Sequence, residues 1–549
     1  MRIEAIAARL GQVLLFAAML VAVPGPVPSA DHAGAADPTG ALDPAGTADP
    51  AALARILDRH LQQRFDADSI RPAPCADDAE FFRRLSVDLI GRIPTADAAA
   101  AFIGDSSVGK REAAIDRLLA SPEHAAHFAS TWRSLLLPEA ETDRQIRYFV
   151  PGFEAWLRRR REENSGFDVF VDDLLTVQIT GTDARPQLVL KNLRTENPLA
   201  FIAAREADPG KLAATVTRLF LGVRLECAQC HNHPFDKWTQ DQFWNQAAFF
   251  AGIQRKGRGP FAPLLERPDS RAIALMNDES KMVPVVYLDG SEPAARDGEL
   301  PRKALSRWIT APENPYFSRA AVNRVWGQLM GHGLVEPVDD FQDSSPPYHP
   351  ELLQVLAAAF TESHYDLTHL YRAVCRTEAY QRTSRQTDPS QAEPFRFARM
   401  LVKPMSGEQF YDSLSLALRQ DQSMDSHALM RSEDPTRQRF LDAFGGQGDQ
   451  RNPETSVLQA LTLMNGSIVA EATNPETSSL LQVLDPGRGV ETAQAVEALY
   501  LRSLSRFPTE AERTRLQQVI RRDAEESTEL GLGDILWMLL NSAEFRWNH

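Results

Sequence analysis

Cysteine is scarce in this sequence: 549 residues hold only Cys75, Cys227, Cys230 and Cys375. A chain of this length with so few thiols is not built on a disulfide framework. Positive charge is also in deficit. Fifty-nine Lys and Arg against 74 Asp and Glu leave a formal charge of −15, so there is no electrostatic footprint for nucleic acid or anionic lipid. After residue 23 no stretch is apolar enough to span a bilayer, which takes about 20 residues. A nucleotide-type Gly-rich loop and a regular repeat across the ordered part are both lacking, which removes phosphate-loop and solenoid architectures. What remains is a globular composition, 43% hydrophobic and 24% charged, long enough for two or three domains.

The first residues have the form of an export signal. Arg2 and Arg9 give a basic start, Val13 to Val23 is an apolar run, and Pro24 to Ala30 is a small-residue stretch. Ala30 is a candidate cleavage point, although Pro28 fits the motif badly; an uncleaved anchor is the competing reading. Loss of residues 1–30 takes Lys plus Arg to 57 and Asp plus Glu to 73, near −16. Residues 31–50 read as a disordered linker, with Asp37-Pro38, Asp43-Pro44 and Asp49-Pro50 recurring among Gly, Ala and Thr. The basic run Arg158 to Arg161 is followed by Glu162 and Glu163 and reads as a solvated helix end.

Helical periodicity dominates the rest. Leu53, Ile56, Leu57 and Leu61 mark one face, where order begins. Ser121-Pro122-Glu123 and Asp208-Pro209 are helix starts. The second opens a helix with Leu212, Val216, Leu219 and Val223 on one face, leading into Cys227. Residues 256–300 are rich in Gly, Pro, Arg and Asp and contain one strand-like run, Met282 to Leu288, so a connector between domains is placed there. Helical patterns return from Arg302, including Glu351 to Phe360, a capping box at Thr509-Glu510-Ala511-Glu512, and a terminal helix over Asp534 to Phe545.

One segment carries chemistry: Cys227-Ala228-Gln229-Cys230-His231. A Cys pair with two intervening residues followed at once by His is the attachment site of a c-type haem, the two sulfurs forming thioethers and the imidazole binding iron. Attachment requires export, which the N-terminus independently suggests. The competing readings are a Cys227–Cys230 disulfide, a thiol redox pair, and a zinc site of Cys227, Cys230, His231 and His233, for which the spacing is poor. Phe235, Trp238, Phe243, Trp244, Phe249 and Phe250 could wall an apolar pocket or be ordinary core. Asp236 could orient a ligand imidazole from the second layer, or cap a helix. Met276, Met282, Met330, His332 and His233 are the candidates for a distal iron ligand. Cys75 and Cys375 either pair across the domains or are buried free thiols.

The segment Leu221 to Trp238 resembles the signature of the domain-of-unknown-function family 1549, as does Phe82-Arg83-Arg84-Leu85-Ser86-Val87-Asp88-Leu89-Ile90-Gly91-Arg92-Ile93-Pro94-Thr95. The second half resembles its usual partner, family 1553, over Asn314 to Trp326, Asp339-Asp340-Phe341, His349-Pro350-Glu351-Leu352-Leu353 and Leu458-Gln459-Ala460-Leu461. The resemblance implies an exported, planctomycete-type, cytochrome-like protein. Many relatives also carry an N-terminal cytochrome domain, from which this chain departs. It transfers no catalytic residues, only Cys227, Cys230 and His231 as haem-binding groups.

The expected fold is mainly α, with two packed helical domains, 51–255 and 301–549, and a short β element near their junction. The expected function is that of a periplasmic or cell-surface protein with one covalent haem c, in electron transfer or an oxidative reaction, its acidic surface suiting a basic redox partner. Two alternatives stand beside it. One is a haem-free surface-binding or scaffold protein. The other is a glycan hydrolase using carboxylates such as Asp339 and Asp340, a weak signal because such a pair must flank the bond. Asn323, Arg324, Asp339, Asp340 and His349 either line a cleft shared with the haem segment or make caps and buried ion pairs. Substrate and oligomeric state are not readable.

Overall fold

In the computed structural model the described residues are 49–179, 195–275, 278–294, 296, 298–419, 435–444, 457–523 and 528–549. Helix starts follow the local chemistry. Asp49 caps the helix Pro50–Ala67 through Ala51 and Ala52, so Pro50, expected in the linker, is already its first residue. Ser121 caps Pro122–Leu136 and Asp208 caps Pro209–Val216. The Thr509–Glu512 capping box opens Glu510–Asp523. Glu351 to Phe360 lies within the helix Pro350–Glu362. The expected terminal helix is two: Thr528–Leu540, then Ala543–Arg546 recapped by Ser542.

The fold is mainly α. Among the described residues the strands form three two-stranded antiparallel pairs. One falls in the connector, Ala272–Leu275 with Asp278–Pro284, and a second ties Ile253–Arg255, just before the connector, to Leu264–Glu266 within it. The strand expected at 282–288 thus begins earlier and ends at Pro284, beyond which the chain leaves the ladder. The third pair, Lys403–Pro404 with Trp547–Asn548, joins the middle of the second region to the extreme C-terminus.

The buried apolar side chains form two clusters, and the division does not fall at the connector. One runs from Leu53 to Met400 and takes in both sides of residues 256–300. The other gathers Phe410 to Phe545, together with Val87 and Ile93. Helix Asp78–Ile90 lies between them: Phe81, Phe82, Leu85 and Leu89 face the first core, Val87 the second. The physical reason is burial all round the helix, Glu80 to Leu89 being buried. A helix buried on all sides can serve two cores, whereas a composition shift marks only a change of surface.

That same helix buries charge. Arg83, 1% exposed, donates to the carbonyls of Ser503, Glu544 and Phe545 at 2.9–3.2 Å. Arg84, fully buried, donates to Arg382 O at 3.0 Å and lies 3.6 Å from Glu80. Asp88 accepts from Tyr380 Oη at 2.9 Å, Lys403 Nζ at 2.7 Å and Asn548 Nδ2 at 2.7 Å. Arg83 and Asp88 of the 82–95 segment are therefore ties to the far end of the chain. Of the run 158–161, Arg158, Arg159 and Arg160 make surface ion pairs as expected. Arg161 is instead buried and donates to Asn164 and Thr368. Cys75 and Cys375 are both free; Cys375 is buried and Cys75 exposed, so they neither pair nor are both interior.

Two expectations follow. Arg83→Ala orphans the three carbonyls and should cost at least about 3 kcal/mol, read as a lowered urea midpoint; a midpoint equal to wild type would mean the carbonyls find other donors. His124, with Nδ1 on Leu89 O, is held by burial down to about 3, and His127, beside Asp88, to about 4. Both sit below the free imidazole value near 6.5. The unfolded chain therefore binds more protons as acid is added. This contribution to stability is full above about pH 6.5 and is lost as pH falls through about 4 and 3. Replacing both by Gln should flatten the pH dependence of the unfolding midpoint between 6.5 and 4; an unchanged slope would count against these two groups.

Candidate functional site

The route into the Cys-rich segment is set by one glycine. Helix Pro209–Val216 continues as a wider turn over Thr217–Leu221 and stops at Gly222, whose φ is 67°. A β-carbon there would stand 2.5 Å from the ring of Phe341, so both backbone sign and space demand glycine. Phe341 N donates to Gly222 O at 2.7 Å, which fastens the segment to the second region. Arg224 then forks onto Asp339 Oδ1, at 2.6 and 3.1 Å. Asp339 Oδ2 faces Arg218 at 3.9 Å and Arg324 at 3.8 Å.

Next comes a single 3₁₀ turn, Glu226–Gln229. With three residues per turn, positions i and i+3 eclipse. Leu225 and Ala228, three apart, are both 0% exposed, while Cys227 and Cys230, at the same spacing, are free, exposed thiols. The turn is held from beneath. Gln229 O accepts from Trp244 Nε1 and Gln240 Nε2, both at 3.1 Å, and Cys230 O accepts from Gln240 Nε2 at 3.0 Å. Asn232 Oδ1 receives Gln240 N, at the start of helix Gln240–Ala248, which a Thr239–Gln242 capping box opens.

The two imidazoles are in opposite tautomers. His231 is exposed, and its Nδ1 lies 2.7 Å from Asn232 O. A carbonyl only accepts, so Nδ1 carries the proton and Nε2 keeps its lone pair. His233 Nδ1 accepts from Phe235 N at 3.3 Å, which leaves the proton of the neutral ring on Nε2. The residue types a c-type haem needs are thus accessible within one short segment: two exposed thiols and an imidazole with its Nε2 lone pair free. A four-ligand zinc site is not assembled, since among the described residues no three His, Cys, Asp or Glu gather closely enough for a metal ion.

The other candidates separate cleanly. Trp238, Phe243, Trp244, Phe249 and Phe250 are 1–4% exposed and belong to the first core, so they wall no open pocket. Phe235 alone of that set faces solvent, 85% exposed. Asp236 accepts from the adjacent Lys237 N at 2.7 Å, a local turn rather than a bond to either imidazole. Met282 lies on the outer side of its hairpin, 57% exposed, with Val283 turned inward. Met330 is core, 1% exposed. His332 Nδ1 bonds Gly333 O, and its ring edges Phe397. Met276 lies outside the described residues.

In the second region, Asn323 braces the 335–338 loop, donating to Val335 O and Val338 O and accepting from Val335 N. Asp340 accepts from Gln342, and its carboxyl is pushed up by burial. His349 stands apart, against Tyr348 and Phe397, held down to about 4 by burial. Asn323, Arg324 and Asp339 are thus structural braces for the segment that carries the thiols. Sequence reasoning missed Gly222, Arg224 and Gln240; a Gly closing a helical pattern just before the motif was the available signal for the first.

Residues 56–255 match the family model described as Protein of unknown function (DUF1549), PSCyt2. Residues 301–442 and 432–520 match that described as Protein of unknown function (DUF1553), PSD1. No curated protein and no solved structure matches the chain.

Gly222→Ala should destabilise by about 2 kcal/mol or more, from positive φ and the clash with Phe341. Hydrogen exchange should then accelerate at the amides of Val223 and Ala228, which now bond Thr217 O and Leu225 O. Unaltered protection at both would refute the anchoring role.

Proposed function

We propose that this chain, which belongs to the DUF1549 and DUF1553 families, is an exported protein carrying one haem c on Cys227 and Cys230, with His231 as the iron ligand, and that it serves in electron transfer or an oxidative reaction at the periplasm or cell surface. The observation that carries this reading is the 3₁₀ turn, at which both thiols are free and exposed, followed at once by an imidazole whose Nε2 lone pair is free. A haem bound there supplies a one-electron couple between ferric and ferrous iron.

The chain's own part is positioning. Gln240 and Trp244 hold the carbonyls of Gln229 and Cys230, so the turn is preformed. Asn232 O fixes the His231 tautomer and ring orientation, the usual task of a group behind a metal ligand. Phe235, exposed on the same loop, stands to gain about 2 kcal/mol when covered by an apolar ring. An outward-facing site suits electron exchange with a partner, and a net charge of −15 favours a basic one.

The test is the visible spectrum of the full chain exported from a host with haem-attachment machinery. A Soret band that survives acid–acetone extraction, at about one haem per chain, is expected. Cys227→Ala with Cys230→Ala should abolish it without loss of helical circular dichroism. A colourless wild-type protein, whether with reactive thiols or a Cys227–Cys230 bond, would reject the proposal and favour the scaffold reading.

A further inference from the structure

The cations around the thiol turn are almost all spoken for. Arg218, Arg224 and Arg324 share Asp339, and Lys237 lies 3.0 Å from Asp343. Arg319 differs. It is exposed, its guanidinium lies over the ring of Phe341 at 5.4 Å, and no carboxylate among the described residues stands within ion-pair distance. In a chain with 15 more acids than bases, an arginine left without one is a charge awaiting a partner.

Its position is fixed relative to the motif. The chain enters the motif at Gly222, whose carbonyl takes Phe341 N and whose α-carbon faces both Phe341 and Ala320, the neighbour of Arg319. It leaves near Lys237, whose amine reaches Asp343, two residues beyond Phe341. Both ends of the thiol loop are therefore tied to the 339–343 segment on which Arg319 rests. A haem carries two propionate carboxylates besides its iron, and a planar guanidinium is the side chain best shaped to receive one.

We propose that the DUF1553 region completes the haem site, Arg319 on Phe341 receiving a propionate of the haem attached at Cys227 and Cys230. This rests on the haem reading above. The test uses the full haem-loaded chain and Arg319→Gln, with Arg319→Lys as the charge-conserving variant and Arg258→Gln as a control for net charge. Arg319→Gln should keep its covalent Soret band and its helical dichroism. Its propionate-bending band in the resonance Raman spectrum should shift. Its reduction potential should fall, because a positive charge favouring the ferrous state is gone, and should become steeper with pH as the freed carboxylate titrates. Arg319→Lys should restore the potential in part. Covalent haem with Raman band and potential the same as in the Arg258→Gln control would overturn the Arg319 assignment and leave the haem reading standing. A wild-type chain without covalent haem would overturn both.

Discussion

The structure depends on charge buried along the helix Asp78–Ile90. An ion removed from water is costly unless its hydrogen bonds are met, and breaking such a set typically costs about 3–5 kcal/mol. Arg83 turns both terminal nitrogens onto carbonyls near the ends of helices late in the chain, with its Nε left unbonded, and Asp88 is met by Lys403, Tyr380 and Asn548. The partners lie some 300 to 460 residues away, so the first and last parts of the chain must come together for either group to be satisfied. Val87, on the same helix, joins the second core while its neighbours join the first.

From there the constraint passes to the thiol turn through identifiable contacts. Lys403, held by Asp88, also donates to Gln328 O and Leu329 O at the C-terminal end of helix Phe317–Met330, where a cation complements the helix dipole. Arg324 of that helix faces Asp339, Asp339 holds Arg224, and Arg224 lies three residues before Cys227. These contacts make the two family regions one structural unit. The connector between them, although its composition changes sharply, crosses no break in the core.

Much of the local structure was legible from side-chain chemistry at single positions. Ser121, Asp208 and Thr509 cap the helices they were expected to cap, because an N-cap is decided by one side chain and the amides that follow it. The Cys227–His231 spacing was equally readable. The roles of aromatic and polar residues were not. Trp244 could have walled a pocket, yet it is core with its indole N–H on Gln229 O. Asp339 could have paired with Asp340 for chemistry, yet it binds arginines from two other segments. Arg161 sits in a basic run but turns inward, because its place on the helix faces Thr368 rather than solvent.

Sequence alone therefore determined the helical class, the helix starts, the family resemblance and the one segment with a haem-binding pattern. These are set by contacts within a few residues and need no knowledge of what packs where. Only the tertiary structure decided that Cys227 and Cys230 are both exposed, that His231 keeps Nε2 free, and that Asn323 and Asp339 are braces. Those outcomes hang on which partner a side chain meets, whether next door, as Asn232 O for His231, or more than a hundred residues away, as Asp339 for Arg224, and the direction a side chain finally takes is a property of that partner as much as of the residue itself.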